Sequence, residues 1–172
     1  MITFLPYANF TQSAQTLDRQ RLGKQRIEAL QIFKTLLQRE DIPPPKWINH
    51  PACLMWAGYE YDLCRYGYEI CKEWKRRKYI DNLQQKFQVA KEIMHRLLYL
   101  SDLPQWSENE ELHRSHRLML WKKDPYYYNQ FAEEALSFPL DQEIKYVWPI
   151  TKGDTIPPLF NKEVARCILE SI

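Results

Sequence analysis

The stretch LDRQRLGKQRIEALQIFKTLLQRE, residues 17–40, determines the fold class that this chain can adopt. Its apolar residues recur at spacings of three, four and seven, which is the pattern of an amphipathic helix. Thr11 or Ser13 can cap this helix, and the run Pro43-Pro44-Pro45 ends it. The sequence therefore predicts a first helix that runs to about Arg39 and has these apolar positions: Leu22, Ala29, Leu30, Phe33, Leu36 and Leu37.

Two further apolar patterns follow the proline run. Residues 51–78 predict a helix that is apolar on two sides, as expected for the central helix of a bundle. Gly58 and Gly67 lie inside it and indicate places where another backbone or side chain packs closely. Residues 83–97 predict a third helix, and a proline-containing turn is expected over residues 101–105.

Start signals for helices organise the C-terminal part of the chain. The capping-box pattern of Ser107 with Glu110 predicts the start of a fourth helix. The expected elements are a fourth helix from Ser107 to Trp121, a short helix after Asp124-Pro125, an irregular segment over residues 144–158, and a last helix over residues 162–170 capped by Asn161. The prediction is all-α: a compact single-domain helical bundle over residues 1–172, with a long central helix and an irregular C-terminal segment.

Length and composition exclude several classes of protein. A chain of 172 residues suits one domain. Four glycines against eleven prolines are few for a β-sandwich or barrel, and the phosphate-binding patterns GxGxxG and GxxxxGK[ST] do not occur. No apolar run approaches the ~20 residues of a membrane span, and the N-terminus does not resemble a signal peptide, which predicts a cytoplasmic protein. Without CxxC spacing, four cysteines are expected to be buried thiols: Cys53, Cys64, Cys71 and Cys167.

A polar stripe runs along the first helix. It consists of Arg21, Lys24, Gln25 and Glu28, with Arg19 and Arg26 beside it. Positions i, i+3, i+4 and i+7 share one face of a helix. Spacing alone favours a solvated face with an ordinary Lys24–Glu28 pair. The alternative is a phosphate-binding surface that contains one carboxylate, as cleavage at a nucleotide sugar requires.

A second group of cations lies in the fourth helix and just after it. HRSHR at residues 113–117 is followed by Lys122-Lys123, and Trp121 and the tyrosines at 126–128 lie among these cations. Cations contact phosphates and aromatic rings stack on bases, so the combination predicts nucleic-acid binding. His113 and His116 lack a third ligand nearby, so no metal site is expected.

Three blocks of the sequence resemble the pyrimidine dimer DNA glycosylases, which are compact, mainly helical base-excision enzymes. Residues 17–28 are similar to the first helix of that family, and Glu28 falls where its catalytic glutamate is expected. Residues 48–78 are similar to its central helix, including Pro51 and Gly58. The third block is similar to the DNA-facing C-terminal part and consists of Arg117-Leu118, Lys122, Lys123, Pro125 and the tyrosines at 126–128.

The resemblance implies a DNA glycosylase with abasic-site (AP) lyase activity that excises damaged pyrimidines, pyrimidine dimers in particular. It implies no metal or organic cofactor, a monomer, and double-stranded DNA with damaged pyrimidines as the partner. Glu28 would stabilise the developing sugar cation and transfer protons. The expected DNA contacts are Arg19, Arg21, Arg26, His113, Arg114, His116, Arg117, Lys122 and Lys123.

The nucleophile is the point at which the chain departs from this family. The family uses the α-amine of a threonine exposed by removal of the initiator methionine, whereas here Ile2 follows Met1, and Ile27 replaces the arginine that precedes the glutamate. Because a bulky second residue hinders that removal, the candidate amines are those of Met1, of Lys24 and, after further processing, of Thr3. The reference pKa of an α-amine is about 7.7–8.0, against about 10.4 for a lysine side chain, which favours the terminus.

Two other classes of protein remain open on the sequence. One is a non-catalytic helical module that binds DNA or RNA through the same basic and aromatic surface. The other is a scaffold without a role in nucleic-acid binding. Only an enzyme forms a covalent adduct with abasic DNA under borohydride, and only the scaffold lacks salt-dependent affinity for DNA.

Overall fold

The computed structural model describes residues 1–99, 103–150 and 157–172, and this part is helical without strands. The helices are α1 (Phe10–Thr16), α2 (Arg19–Leu37), α3 (Pro51–Leu54), α4 (Glu60–Arg76), α5 (Gln84–Arg96), α6 (Glu110–Lys123), α7 (Ala132–Leu136) and α8 (Lys162–Ser171), with short 3-10 turns at Gln105–Glu108 and Asn129–Phe131. α4 packs against α1, α2 and α5, while α8 packs against α5 and α2. The all-α prediction is confirmed. None of the described helices is long and apolar enough to span a bilayer.

The first expected helix is two helices, because the backbone leaves the helical conformation at Leu17. Leu17 is extended and fully buried. Asp18 then caps α2, where its side-chain oxygen accepts a backbone N–H of the first turn at 2.9 Å. The cap of α1 is Asn9 rather than Thr11 or Ser13. Periodicity located the helical residues correctly, but the prediction of one continuous helix is wrong.

The expected central helix is interrupted at Gly58. The φ angle of Gly58 is +86°, in the left-handed region that side chains disfavour, and a Cβ there would lie 3.0 Å from Pro157. α3 therefore ends before this glycine, and α4 starts after it. The close approach expected at Gly58 is confirmed, and the continuous helix over residues 51–78 is wrong.

Gly67→Val is expected to destabilise the protein, because α5 packs directly on α4 at Gly67. A Cβ at Gly67 would lie 2.4 Å from Cζ of Phe87, a fully buried ring that has no room to move aside. Overpacking of this kind lowers the free energy of unfolding by about 1–3 kcal/mol, which urea denaturation measures. In a Phe87→Leu background the same change should cost less, and an equal cost in both backgrounds would contradict this account.

The C-terminal helices follow the expected order with changed boundaries. The expected third and last helices are confirmed as α5 and α8, and the side chain of Asn161 caps α8 by accepting the N–H of Val164 at 3.0 Å. The cap of α6 is Asn109, whereas Ser107 lies in the preceding 3-10 turn. Asp124 is followed by turns rather than by a helix.

Two expected loops fall partly outside the described residues. The turn predicted over 101–105 includes residues 101 and 102, and the irregular segment over 144–158 includes residues 151–156. Within the described part of that segment, residues 144–150 form no helix, as expected.

Three of the four cysteines are buried, as expected, in α3 and α4. Burial raises the pKa of both Cys53 and Cys71 to about 12, which keeps these thiols protonated and unreactive. Cys167 is exposed on α8, so the prediction is wrong for this residue.

Candidate active site

The N-terminal segment lies against α2, and the buried side chain of Gln25 joins them. Its amide nitrogen donates to the carbonyl oxygen of Ile2 and to Oε2 of Glu28, both at 2.9 Å. Its amide oxygen accepts the N–H of Phe4 at 2.9 Å and the hydroxyl of Tyr66 at 2.7 Å. All four hydrogen bonds that one amide can make are used. Gln25 therefore fixes the chain terminus relative to the carboxylate of Glu28.

Two amines approach the same oxygen of Glu28. The Met1 nitrogen lies 4.0 Å from Oε1, and Nζ of Lys24 lies 3.6 Å from it. The side chains differ in exposure, since that of Met1 is 7% exposed and that of Lys24 is 69% exposed. The buried Met1 side chain anchors the chain terminus beside the carboxylate, while Lys24 extends into solvent.

An open cleft of about 600 Å³ includes these three residues in its lining. Polar side chains of α2 form one part of the lining: Gln20, Arg21, Lys24 and Glu28. Aromatic and imidazole rings from two other parts of the chain complete it: His50 before α3, and Tyr146 and Trp148 after α7. Lys123, the last residue of α6, adds a cation. The cleft combines an amine, a carboxylate, cations and aromatic surface.

The arginines of α2 differ in their exposure and in the side chains that their guanidinium groups contact. Arg19 is exposed, with its guanidinium 5.1 Å from the ring centroid of Tyr79. Arg21 lines the cleft and pairs with Asp18 at 2.5 Å. Arg26 is only 12% exposed and pairs with Asp81, whose other oxygen caps the start of α5. Of the three, Arg19 faces solvent and Arg21 faces the cleft, whereas Arg26 holds α5 against α2.

A family model described as pyrimidine dimer DNA glycosylase matches residues 1–87, half of the chain. This chain belongs to the pyrimidine dimer DNA glycosylase family. Members act on DNA that contains pyrimidine dimers, so the membership assigns the chain to the DNA repair glycosylases and makes DNA its substrate. The matched region contains Met1, Lys24, Glu28 and His50. Neither the comparison with curated proteins nor the comparison with solved structures gives a match.

Both imidazoles of α6 are buried, which corrects their assignment as DNA contacts. The ring nitrogens of His113 face the carbonyl oxygens of Leu5 and Ser107 at 2.8 and 2.7 Å. Nδ1 of His116 accepts the N–H of Leu5 at 3.2 Å. Burial lowers the pKa of His116 to about 3, so its ring is neutral at physiological pH. These imidazoles attach the N-terminal segment to α6.

Arg117 is also structural rather than exposed to DNA. Its guanidinium binds Glu134 through two hydrogen bonds of 2.7 and 2.8 Å, donates to the carbonyl oxygen of Pro6 at 2.9 Å, and pairs with Glu110. The hydrogen bonds that Arg117 donates to Glu134, opposed by burial, raise the pKa of Arg117. Arg114 is half-buried and lies 3.6 Å from the same Glu134. The exposed cations at the end of α6 are Lys122 and Lys123.

Sequence reasoning missed four residues of the site. Gln25 was assigned only to the polar stripe. An amide beside a buried turn of α2 could have indicated a side chain that hydrogen-bonds to another segment of the chain. His50-Pro51 carries a helix-start signal, yet no spacing relates it to Glu28. Tyr146 and Trp148 lie in a stretch without periodicity, and only the tertiary fold brings them to the cleft.

Arg117→Met is expected to lower the free energy of unfolding by about 2–4 kcal/mol, because it leaves Glu134 and the carbonyl of Pro6 without their buried partner. The salt dependence of DNA binding should stay unchanged. Lys123→Met is the matched control: it should leave stability unchanged and reduce the slope of log K against log salt by about 0.9. Chemical denaturation measures the change in stability, and binding titrations at several salt concentrations measure the slope. An Arg117→Met variant of unchanged stability with a reduced slope would instead identify Arg117 as a phosphate contact.

Proposed function

We propose that this glycosylase also has AP lyase activity and that it excises damaged pyrimidines, pyrimidine dimers in particular, from duplex DNA. The nucleophile is the α-amine of Met1, and Glu28 transfers protons. One observation carries the proposal: the Met1 nitrogen lies 4.0 Å from Oε1 of the buried Glu28 at the cleft.

The reaction begins when the neutral α-amine attacks C1′ of the damaged nucleotide. A C–N bond forms as the N-glycosidic bond breaks, and the electron pair of the broken bond leaves with the base, which takes up a proton. The attacking nitrogen then loses a proton and expels the ring oxygen O4′, which is protonated. The product is an iminium at C1′ that links the protein to the opened sugar.

The same intermediate explains strand cleavage. The iminium acidifies the proton on C2′, and the carboxylate of Glu28 removes it. β-Elimination then breaks the C3′–O bond, and the phosphate leaves with the electron pair. Addition of water to C1′ releases the α-amine for another turnover. Because Gln25 holds Oε2 of Glu28, the other oxygen, Oε1, is the atom available for these proton transfers.

Exposed cations near the cleft would hold the DNA during these steps. Lys24 and Lys123 line the cleft, Arg19 and Lys122 are exposed nearby in the chain, and Arg21 lies in the cleft beside Asp18. Access to C1′ requires extrusion of the nucleotide, which costs roughly a few kcal/mol and least for a distorted lesion. Phosphate contacts offset this cost at any site, and the lower cost at a distorted lesion makes damaged DNA the favoured substrate.

Borohydride trapping tests the proposal. The protein is incubated in chelator with a duplex that carries one abasic site and, separately, with a duplex that carries one pyrimidine dimer. We expect a covalent protein–DNA adduct that survives denaturation, together with strand incision in the absence of borohydride. Binding of either duplex without an adduct and without incision would overturn the proposal in favour of the non-catalytic DNA-binding module.

A further inference from the structure

A second cleft of about 620 Å³ adjoins the first at the start of α2. Gln20 and Arg21 line both clefts, so the two are neighbours on one surface of the molecule. The rest of the second lining includes Arg19 and, from other parts of the chain, Trp74 of α4 and Tyr127 after α6. A ligand longer than one nucleotide in the first cleft can therefore extend into the second.

The ring of Trp74 gives the second cleft a rigid support. Gly23 of α2 leaves room for this ring, since a Cβ there would lie 3.0 Å from Cζ3 of Trp74. The indole N–H donates to the carbonyl oxygen of Ile80 at 2.9 Å, and the guanidinium carbon of Arg26 lies 4.8 Å from the ring centroid. Tyr79 packs on the same ring, with 4.3 Å between the two ring centroids. Trp74 thus contacts α2 and holds Tyr79 in place beside the cleft.

Tyr79 in turn orients the guanidinium of Arg19. The guanidinium carbon lies 5.1 Å from the centroid of the Tyr79 ring, within the range of a cation–π contact. In the described part of the chain no carboxylate pairs with Arg19, which is exposed to solvent. An arginine that is held against an aromatic ring binds phosphate well, because its planar N–H donors match two phosphate oxygens.

The run KEWKRRK at residues 72–78 ends α4 and carries five cations. The structure divides these cations by their partners. Arg77 is bound within the protein, since it pairs with Glu73 at 2.6 Å and donates to the carbonyl oxygen of Leu17 at 2.8 Å. Lys78 is exposed, and its ammonium group has no partner among the described residues. Lys78 therefore presents a charge that the protein itself does not neutralise.

The backbone at Lys78 is of the kind that favours glycine. Its φ angle is +69°, in the left-handed region, where a Cβ is strained. The N–H of Lys78 donates to the carbonyl oxygen of Lys75 at 2.9 Å, and that of Tyr79 donates to the carbonyl oxygen of Trp74 at 3.3 Å. This is the Schellman ending of a helix, in which glycine is the usual residue at the position of Lys78. A lysine there costs stability, which points to a function of its side chain.

The carboxylates of the second cleft leave the positive charge in excess. Asp18 pairs with Arg21 at 2.5 Å. Asp124 directly follows two lysines and accepts the backbone N–H of Tyr127 at 3.0 Å. A single phosphate would contact one cation, whereas duplex DNA carries a negative charge for every ~1.7 Å of its helix axis. Cations at several points of an extended surface therefore suit a DNA backbone.

We propose that the second cleft and the end of α4 form a flanking surface, which binds the sugar–phosphate backbone of the duplex beside the lesion. The flanking surface is defined by Arg19, Trp74, Lys78 and Tyr79. Arg19 and Lys78 contact phosphates, and the two rings hold Arg19 in position. The inference rests on the proposed function only for the place of the damaged nucleotide, which lies in the cleft at Glu28. Because its contacts go to phosphates, the flanking surface adds affinity for damaged and undamaged duplex alike.

Lys78→Gly tests the cation at the end of α4, because it removes the charge and relieves the backbone strain together. We expect the melting temperature to rise or stay the same. Affinity for undamaged duplex should fall by about 2- to 10-fold, and the slope of log K against log salt should fall by about 0.9.

Lys91→Gln is the matched control for this variant. Nζ of Lys91 on α5 lies 4.6 Å from the ring centroid of Tyr68, and Lys91 lines neither cleft. Its removal should leave the affinity and the salt slope unchanged. Unchanged affinity of Lys78→Gly, a lower melting temperature, or an equal loss of affinity in the control would overturn the inference.

Two variants separate the charge of Arg19 from its support. Arg19→Gln removes the charge and should reduce the salt slope by about 0.9. Tyr79→Leu removes the ring and keeps the charge, so it should lower affinity by about 2- to 5-fold with the slope unchanged. In an Arg19→Gln background, Tyr79→Leu should cost no further affinity. An equal loss in both backgrounds, or an unchanged slope for Arg19→Gln, would contradict the assigned contacts.

Shortening the DNA tests whether the flanking surface lies beside the lesion. The duplex carries one abasic site with about ten base pairs, one helical turn, on each side, and is then shortened on one side or on the other. We expect shortening of one side to lower the affinity of the unchanged protein more than that of the double variant Arg19→Gln with Lys78→Gly. Fraying of a short end affects both proteins alike, so the difference reports the contact. Equal losses for the two proteins on both sides would overturn the inference.

Borohydride trapping of the unchanged protein on the same duplexes keeps this inference separate from the proposed chemistry. A loss of affinity that depends on the shortened side and on the two cations, without any adduct, would support the flanking surface and overturn the proposed chemistry. An adduct without such a loss would support the chemistry and overturn the flanking surface.

Discussion

Glu28→Gln is expected to lower the rate of base release by about 10²- to 10⁴-fold while affinity for lesion-containing duplex stays within about threefold. The substitution keeps the shape of the side chain, and its amide oxygen can still accept the hydrogen bond from Nε2 of Gln25. It removes the charge 4.0 Å from the Met1 nitrogen and the oxygen that accepts the C2′ proton. Single-turnover kinetics and binding titrations measure the two quantities.

Glu69→Gln provides the charge-matched control for this variant. Glu69 lies on α4, where it pairs with Lys72 and accepts a hydrogen bond from Thr11, so its loss also changes the net charge by one. Base release by Glu69→Gln should stay within about twofold of the unchanged protein. Turnover of Glu28→Gln at the same level as this control would show that the buried Glu28 only holds the N-terminal segment through Gln25 and takes no part in the chemistry.

Helical periodicity located most of the fold because apolar side chains that face the core must repeat with the helix. Phe33 and Leu36 of α2 are fully buried, as that pattern requires. The two helix breaks were missed because their causes are local or tertiary. Leu17 leaves the helix so that Asp18 can cap α2, and Gly58 turns where Pro157, distant in sequence, leaves no room for a side chain.

The candidate site was predicted where its residues share a helix and missed where they do not. Lys24 and Glu28 are one turn apart, so helix geometry alone brings them together. Sequence composition cannot distinguish an exposed cation from a buried one, which is why Arg117 was assigned to DNA although Glu134 and Pro6 bind it. The cleft brings His50 together with Tyr146 and Trp148, which lie about a hundred positions further along the chain, and no periodicity relates such positions.

Blocking the α-amine is expected to abolish the borohydride adduct, whereas Lys24→Ala should still form it. The Met1 nitrogen lies 4.0 Å from Oε1 of Glu28, and its position is fixed because the carbonyl oxygen of Ile2 accepts a hydrogen bond from Gln25. The Lys24 side chain is 69% exposed and extends into solvent, so its amine is less firmly placed than the chain terminus. The experiment compares Nα-acetylated protein with Lys24→Ala on abasic duplex, and mass spectrometry first identifies the terminal residue.

The terminal residue matters because the amine must reach the oxygen of Glu28. Thr3 is fully buried, and its Oγ1 accepts the indole N–H of Trp56 at 2.9 Å. Trimming to Thr3 would also remove the carbonyl of Ile2 that Gln25 binds, so an amine at Thr3 would lose the support that fixes the terminus beside the carboxylate. We therefore expect peptide mapping of the trapped adduct to place the DNA on the nitrogen of Met1. Attachment at Lys24 would identify that side chain as the nucleophile. Formation of the adduct by Nα-acetylated protein would show that the terminal amine is not the nucleophile.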